Sequence, residues 1–357
     1  MDDLELASLY KSEWEFNNPI KDIYGRNRRF SSPHKNFFSP EVSSKLFKEG
    51  FVPHYPGNKE FAVCISHDID ILYKTSTTHV QPSIAKRITA RAANLVGINY
   101  KPHGKHIELR EPNKEWSLER LRKLNDGYGI KSSYYFLSLG HNEEDFNYSL
   151  AEVKEQMENL IASGCELGLH GGHKAYNDAG KLLEEKTKFN KETGLSINGY
   201  RNHYLRFDVP ATWYNVASAG FEYDTTFGYP DSAGFRNGMC YPYYPYDIAT
   251  GKFINVIELP LILMEMSLFN YMRLDIDTAL SLCKKLINEI KACKGVFTVL
   301  WHNSSLDGQM GELYIKLLDL LKEEDPWFAT SADIVKWWKE EHLLEQSHTM
   351  VKKLLDV

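Results

Sequence analysis

The chain has 357 residues, of which 43% are hydrophobic and 25% are charged, and its formal net charge is -6. This composition excludes an intrinsically disordered or collagen-like chain, and the net negative charge provides no overall attraction to nucleic acid. The five cysteines are odd in number and include no C-x-x-C pair, which argues against both a disulfide framework and a cysteine zinc site.

The amino-terminal segment, MDDLELASLYKSEWEF, is acidic and contains no long apolar stretch. No window of the sequence reaches the roughly 18 apolar residues that are needed to span a bilayer. We therefore expect a cytoplasmic protein without a transmembrane segment.

Short apolar runs rich in β-branched and aromatic residues alternate with longer segments of helical period. The runs predict strands at Phe61 to Ser66, Ser132 to Leu139, Cys165 to His170, Ile197 to Tyr204, Phe221 to Phe227, Ile254 to Leu263 and Gly295 to His302. Amphipathic helices are predicted between them at 158–164, 181–194, 209–220 and 275–293. This alternation predicts an α/β fold with a parallel sheet of about seven strands, closed or nearly closed as a barrel.

Residues 1–57 are rich in turn formers, such as NNP and HYPGN, and are predicted to pack on the barrel as an N-terminal extension. The barrel itself is predicted over residues 58–345, with an insertion at about 73–113 between the first two strands. Within this insertion, residues 84–96 can form a helix with one apolar and one basic face. Such a helix could touch a membrane that carries a lipid-linked sugar, although a helix of this kind more often covers its own protein.

Polar residues follow the predicted strands at the points where the strands end. Because the carboxyl ends of parallel strands meet at one edge of a sheet, we expect these side chains to converge. A carboxylate and two imidazoles are a normal ligand set for a hydrolytic zinc or a similar divalent metal. A second carboxylate can then act as general base and a separate histidine as general acid, while an arginine beside the base would stabilise its charged form. The converging residues are His67, Asp68, Asp70, His170, His173, Arg201, His203, Asp224 and His302.

These motifs resemble those of the polysaccharide deacetylases, the carbohydrate esterases of family four. SHDID is similar to the first motif of the family, which implies that Asp68 is the base and Asp70 a metal ligand. ELGLHGGH resembles the second motif, through the metal histidines His170 and His173, and GYRNHYLRF resembles the third, in which Arg201 would contact the base. TVLWH is similar to the last motif, with His302 as the catalytic acid. The resemblance implies a distorted parallel (β/α) barrel that removes acetyl groups from sugars with a bound divalent metal, which we expect to be Zn²⁺.

Two features depart from the family pattern. His170 and His173 are three positions apart, whereas the family spaces its metal histidines four apart, and Lys174 occupies that fourth position. His203 is therefore an alternative third ligand. Ile69 separates Asp68 from Asp70, and alternation along a strand would place both acids on the same side, with His67 on the other side in a structural role.

Four residues near the strand ends, including Asp224 of the converging set, are predicted to bind substrate. Arg206 and Arg236 could hold a carboxylate or phosphate group through bidentate bonds. Asp224 opens a loop rich in glycine and proline, where it caps a turn, orients a histidine or contacts the substrate. The predicted set is Tyr204, Arg206, Asp224 and Arg236.

Together these observations predict a metal-dependent hydrolase that removes an N-acyl group from a sugar. The expected substrate is a nucleotide-linked or lipid-linked precursor of a surface polysaccharide, with no nucleic-acid partner. A metal-independent amidase that acts on a small cyclic or linear amide remains an alternative, because Lys174 stands where a second ligand is expected. A non-catalytic glycan-binding module is a third possibility.

Overall fold

The computed structural model describes residues 1–16, 18–80, 105–114, 117–139, 144 and 146–356. The strands are β1 (Ala62–Ile69), β2 (Tyr73–Val80), β3 (Lys105–Pro112), β4 (Ser133–Leu137), β5 (Glu166–Gly171), β6 (Gly199–Asn202), β7 (Tyr223–Asp224), β8 (Tyr246–Asp247), β9 (Lys252–Phe253), β10 (Ile257–Glu258), β11 (Leu263–Met264), β12 (Val296–Leu300) and β13 (Trp327–Phe328). The helices are α1 (Asp3–Tyr10), α2 (Glu13–Phe16), α3 (Glu41–Lys48), α4 (Leu118–Gly127), α5 (Leu150–Ala162), α6 (Ala179–Thr193), α7 (Ala211–Ser218), α8 (Ile276–Ala292), α9 (Gly308–Glu324), α10 (Ser331–Glu340) and α11 (Leu343–Leu355).

The main sheet follows the order β10-β7-β6-β5-β4-β1-β12-β11, and β13 also pairs with β1. All of these pairings are parallel. The terminal strands β10 and β11 lie at opposite ends of this order, yet only the segment 259–262 separates them along the chain. The sheet must therefore curl until its two edges approach each other, and the predicted distorted (β/α) barrel is confirmed.

The central strands are buried on both faces. All eight residues of β1 are buried, as expected for a parallel sheet that is covered by helices. The helices between the strands have ordinary start and stop signals. Ser149 and Glu152 form a capping box at the start of α5, and Gly194 ends α6 in the left-handed conformation with φ of 76°.

One predicted strand is wrong. The run from Ile254 to Leu263 does not form one continuous strand but contributes β10 to one edge of the sheet and β11 to the other. Pro260 lies between them and has no amide hydrogen to donate to a neighbouring strand, which favours a break at this point. The apolar pattern of this run indicates that its residues are buried, but it does not show that they form one continuous strand.

The N-terminal residues contact the barrel domain at several points. Helix α1 packs against α3 of the same N-terminal segment and against α11, and the Tyr10 hydroxyl donates to the Tyr244 carbonyl over 2.6 Å. The division of the chain near residue 57 stays a prediction.

Strands β2 and β3 pair in antiparallel orientation within the predicted insertion. The predicted helix at 84–96 lies outside the described residues. In the described part of the chain, each helix is too short or too polar to cross a membrane.

Candidate active site

Asp68 and Arg201 form a buried ion pair at the carboxyl-terminal edge of the sheet. Asp68 lies near the end of β1 and Arg201 lies in β6, and Arg201 Nη1 is 3.0 Å from Asp68 Oδ1. The same guanidinium donates to the Ser66 hydroxyl over 2.8 Å and to the Thr225 carbonyl over 3.1 Å. The arginine is therefore fixed by the protein, and one carboxylate oxygen of Asp68 is held in place by a permanent positive charge.

His170 directs its Nε2 towards the two acids of SHDID. Its Nδ1 donates to the Arg201 carbonyl over 3.0 Å, which fixes the orientation of the ring. That Nε2 lies 3.3 Å from Asp70 Oδ1 and 3.6 Å from Asp68 Oδ2. His170 Nε2 and Asp70 Oδ1 are both buried, and neither has a hydrogen-bond partner among the described residues.

His203 approaches Asp70 from the turn that follows β6. Its Nδ1 lies 3.2 Å from Glu144 Oε2, a carboxylate that favours a proton on this nitrogen, and its Nε2 lies 3.7 Å from Asp70 Oδ1. Burial by itself raises the pKa of Asp70, but His203 and His170 outweigh burial and hold the pKa well below its usual value.

Asp70, His170 and His203 form a set that fits a divalent cation. Their donor atoms lie within 4.8 Å of one another. A buried carboxylate oxygen that faces imidazole lone pairs is unfavourable unless a proton or a cation lies between them. One carboxylate and two imidazoles suit zinc or a similar metal and leave coordination positions for water and substrate.

His173, the predicted third ligand, lies in a neighbouring cluster instead. Its Nε2 is 3.7 Å from Glu144 Oε2, and its ring stacks on that of His203 with centroids 5.0 Å apart. Within the described residues, His173 groups with Glu144 and His203 rather than with Asp70 and His170. The geometry therefore favours His203, the alternative ligand, over His173.

His302 follows β12 and is paired with a buried acid, Glu265. Its Nδ1 lies 2.7 Å from Glu265 Oε1, and its backbone amide donates to the same oxygen over 3.1 Å. The other ring nitrogen, Nε2, lies 3.7 Å from Asp70 Oδ2. Burial by itself lowers the pKa of His302, whereas Glu265 and the two acids of SHDID raise it, so that the pKa rises to about 9. The ring is thus held as a proton donor beside the cluster.

His67 has a separate role in the sheet. Its Nδ1 lies 2.7 Å from the Trp301 carbonyl, and the Asn125 side chain lies 2.9 Å from its Nε2. Burial lowers the pKa of His67 to about 4, so the ring is neutral. His67 directly precedes Asp68, and Trp301 directly precedes His302. The contact between them therefore connects the strand end that carries Asp68 to the one that carries His302.

A cavity of about 240 Å³ opens beside these groups. Asp68, Asp70, His203 and His302 lie on its polar side. Its other walls are formed by Arg26, Ile71, Tyr204, Leu205, Met264, Met266, Tyr271, Leu300 and Ser304.

Comparisons with known proteins were made by sequence and by structure. No protein-family model matches the chain, and no curated protein matches it. Solved structures similar to it include one named a putative and one named a probable polysaccharide deacetylase. The structure from Mycobacterium smegmatis has a TM-score of 0.53 at 15% identity and covers 82% of this chain and 94% of its own. The structure from Pseudomonas aeruginosa PAO1 has a TM-score of 0.53 at 16% identity and covers 82% of this chain and 96% of its own. The chain has the polysaccharide deacetylase fold.

Two predicted substrate-binding arginines lie outside the cavity of this deacetylase fold. Arg236 is 2% exposed, and its guanidinium donates to both carboxylate oxygens of Glu15, over 2.8 Å and 2.5 Å. Arg206 donates to the Tyr176 hydroxyl over 3.2 Å and lies over the Tyr176 ring. The prediction for Arg236 is corrected, because its fork is saturated by an internal acid, and Arg206 is not among the residues that line the cavity.

Asp224 is also removed from the predicted substrate-binding set. It is fully buried, accepts a hydrogen bond of 2.6 Å from the Thr226 hydroxyl, and is the register partner of Glu258 across β7 and β10. Burial raises the pKa of Asp224, and burial together with the charge of Asp224 raises the pKa of Glu258 well above its usual value. Burial therefore favours the protonated forms of both acids, and neither lines the cavity, whereas Tyr204 does.

The sequence reasoning missed three residues of the site. Glu265 had a signal, since it is the only acid within the apolar run LPLILMEM at 259–266. Glu144 and Arg26 had none, because they lie in turn-rich or acidic segments that no strand pattern connects to the site.

Proposed function

We propose that this chain is a metal-dependent hydrolase that removes an N-acyl group, most simply acetyl, from a sugar. One observation carries the proposal. A carboxylate held by Arg201 and an imidazole held by Glu265 flank the Asp70 cluster, so a base and an acid face the same small volume. This is the arrangement that amide hydrolysis requires, since water must lose a proton and the leaving nitrogen must gain one.

The proposed cation is Zn²⁺, held by Asp70, His170 and His203. A cation bound there would polarise the acyl carbonyl and lower the pKa of water. The support from this chain is the orphaned pair of buried atoms, His170 Nε2 and Asp70 Oδ1, together with the ring orientations that their neighbours impose.

The residues around the cluster have distinct tasks in this proposal. Asp68 accepts a proton from the attacking water through Oδ2, because its Oδ1 is occupied by Arg201. As the water oxygen bonds to the acyl carbon, the carbon–nitrogen bond breaks and His302 donates its proton to the departing nitrogen. The products are a free carboxylic acid and an amino sugar, and Glu265 stabilises the charged form of His302 before the transfer.

The proposed substrate is a sugar precursor that presents a single acylated residue, linked to a nucleotide or a lipid, for surface polysaccharide synthesis. The cavity of about 240 Å³ supports this choice, because it lies below the roughly 300–1,000 Å³ that is typical of drug-sized ligand sites. A volume of this size suits one ring and its acyl group.

The test is turnover by purified full-length protein on a panel of acylated nucleotide sugars, lipid-linked sugars and short N-acetylglucosamine oligomers. Release of the acid is followed by NMR. We expect Asp68→Asn and His302→Ala each to lower kcat by about 10²–10⁴-fold on any substrate that is turned over. Full turnover by both variants would refute the assignment.

Metal dependence is tested in the same assay. Activity should be lost on dialysis against a chelator and restored by one equivalent of Zn²⁺ or a related cation. Chelator-resistant turnover would favour a metal-independent amidase, and binding of glycans without any release of acid would favour a glycan-binding module.

A further inference from the structure

The turn that carries His203 has an unfavourable backbone conformation. His203–Leu205 follows β6, and both Tyr204 and Leu205 have positive φ angles, of 60° and 51°. Residues with a Cβ atom rarely adopt this region, so two in succession persist only where the surroundings hold them. Because His203 lies at the start of this turn, the position of its ring depends on these surroundings.

An arginine of the N-terminal segment holds this turn. Arg26 Nη1 donates to the Tyr204 carbonyl over 2.8 Å, and the Tyr24 ring stacks on the Tyr204 ring with centroids 4.8 Å apart. Arg26 is 3% exposed, so these contacts are made away from solvent.

The second amino group of Arg26 reaches another wall of the cavity. Nη2 donates to the Tyr271 hydroxyl over 2.9 Å, and Tyr271 ends the segment Ser267–Tyr271 that follows β11. Tyr204, Tyr271 and Arg26 all line the cavity. The Arg26 guanidinium thus connects two walls of the cavity, one from the His203 turn and one from the segment that follows β11.

Asp22 fixes Arg26 in this position. Its carboxylate accepts from Arg26 Nε over 2.8 Å and from the backbone amides of Tyr24 and Arg26 over 2.9 Å and 3.0 Å. The backbone amide of Asp22 in turn donates to the Arg26 carbonyl over 3.1 Å, which closes residues 22–26 into a turn. Asp22 therefore fixes both the backbone of this turn and the guanidinium of Arg26.

We infer that Arg26 is a positioning residue of the active site, which holds the His203 turn and the Tyr271 wall in place for the cation and the sugar. The inference rests on the proposed function, because it assigns His203 to the cation. Loss of the Arg26 fork would free the Tyr204 carbonyl and the Tyr271 hydroxyl, so that His203 is less well oriented and the cavity wall less well defined.

The experiment measures cation affinity in full-length protein, by competition between the chain and a chromophoric chelator for Zn²⁺ or Co²⁺. We expect Arg26→Gln to weaken cation binding by about 10-fold or more, the usual effect of removing a residue that orients a ligand. Its KM for a verified substrate should also rise. Arg122→Gln is the matched control, because Arg122 also pairs with an acid four positions away, Asp126, and is not among the residues that line the cavity.

Arg26→Lys separates positioning from folding. A lysine keeps the charge that pairs with Asp22, but a single ammonium group cannot reproduce a planar fork that reaches both tyrosines. We expect it to melt near the wild-type temperature and to bind the cation more weakly than wild type, so it decides the question if Arg26→Gln does not fold.

The outcomes distinguish this inference from the proposed function. If the wild-type chain binds the cation and both Arg26 variants bind it equally well, Arg26 has no positioning role and only this inference fails. If the wild-type chain binds no cation, the metal dependence of the proposed function fails and this inference fails with it.

Discussion

Arg201 and Asp68 form an ion pair that is closed to solvent, with 3.0 Å between Nη1 and Oδ1 and exposures of 0% and 2%. The Arg201 carbonyl also accepts from His170 Nδ1, so a single residue orients both the proposed base and a proposed cation ligand.

We expect Arg201→Lys to impair both stability and turnover. A lysine cannot donate to Ser66, Asp68 and Thr225 together, and the buried acceptors left without partners should lower the free energy of unfolding by about 1–3 kcal/mol. Misplacement of Asp68 should reduce kcat by about 10-fold or more. Chemical denaturation and steady-state kinetics check the two effects, with Arg120→Lys on the exposed Asp307 pair as the control. Wild-type kcat in Arg201→Lys would contradict the role given to the ion pair.

The choice between His203 and His173 as a cation ligand is tested by alanine variants of each. We expect His203→Ala and His170→Ala to lose more than about 100-fold in Zn²⁺ affinity, because each removes a nitrogen that faces Asp70. His173→Ala should lose far less Zn²⁺ affinity, since His173 Nε2 faces Glu144 and not Asp70. Equilibrium competition with a chelator measures all three. The reverse ranking of the His173 and His203 variants would return His173 to the ligand set.

We expect Glu265→Gln to lower kcat by roughly 10–100-fold with little change in KM. The amide oxygen of glutamine can still accept from His302, but it carries no charge to stabilise the imidazolium that donates the proton. Glu312→Gln, in an exposed pair with Lys316, is the control. An increase in KM at constant kcat would mean that Glu265 acts on substrate binding rather than on His302.

Asp224→Asn should stabilise the fold at alkaline pH. A buried acid whose pKa is higher in the folded than in the unfolded chain costs stability as the pH rises from its unfolded pKa, near 3.8, through its folded pKa. An asparagine can still accept from Thr226 and has no carboxyl group that must stay protonated. We expect a gain of about 1–2 kcal/mol in the free energy of unfolding at pH 8 and little or none near pH 4.

The measurement is chemical denaturation of both proteins at the two pH values. Turnover should be unchanged, because Asp224 does not line the cavity. A loss of stability in Asp224→Asn at pH 8 would show that both acids are ionised in the folded wild-type chain and that other groups offset their charges.

The sequence predicted most of the barrel because local patterns dictate most of it. The runs that became β4, β12 and the first half of β1 are mainly apolar, and the helices between the strands carry caps and a helical period. The prediction of one strand at 254–263 was wrong, because apolar residues indicate that a segment is buried but not which strand it pairs with.

The candidate site divides in the same way. That Asp68, His170, Arg201 and His302 would meet could be predicted, since each lies at or near the carboxyl end of a strand and those ends share one edge of a parallel sheet. Neither the preference for His203 over His173, nor the pairing of His302 with Glu265, nor the presence of Arg26 in the cavity follows from a local pattern. Each depends on where a turn or a distant segment places its side chains, and only the tertiary structure decides that.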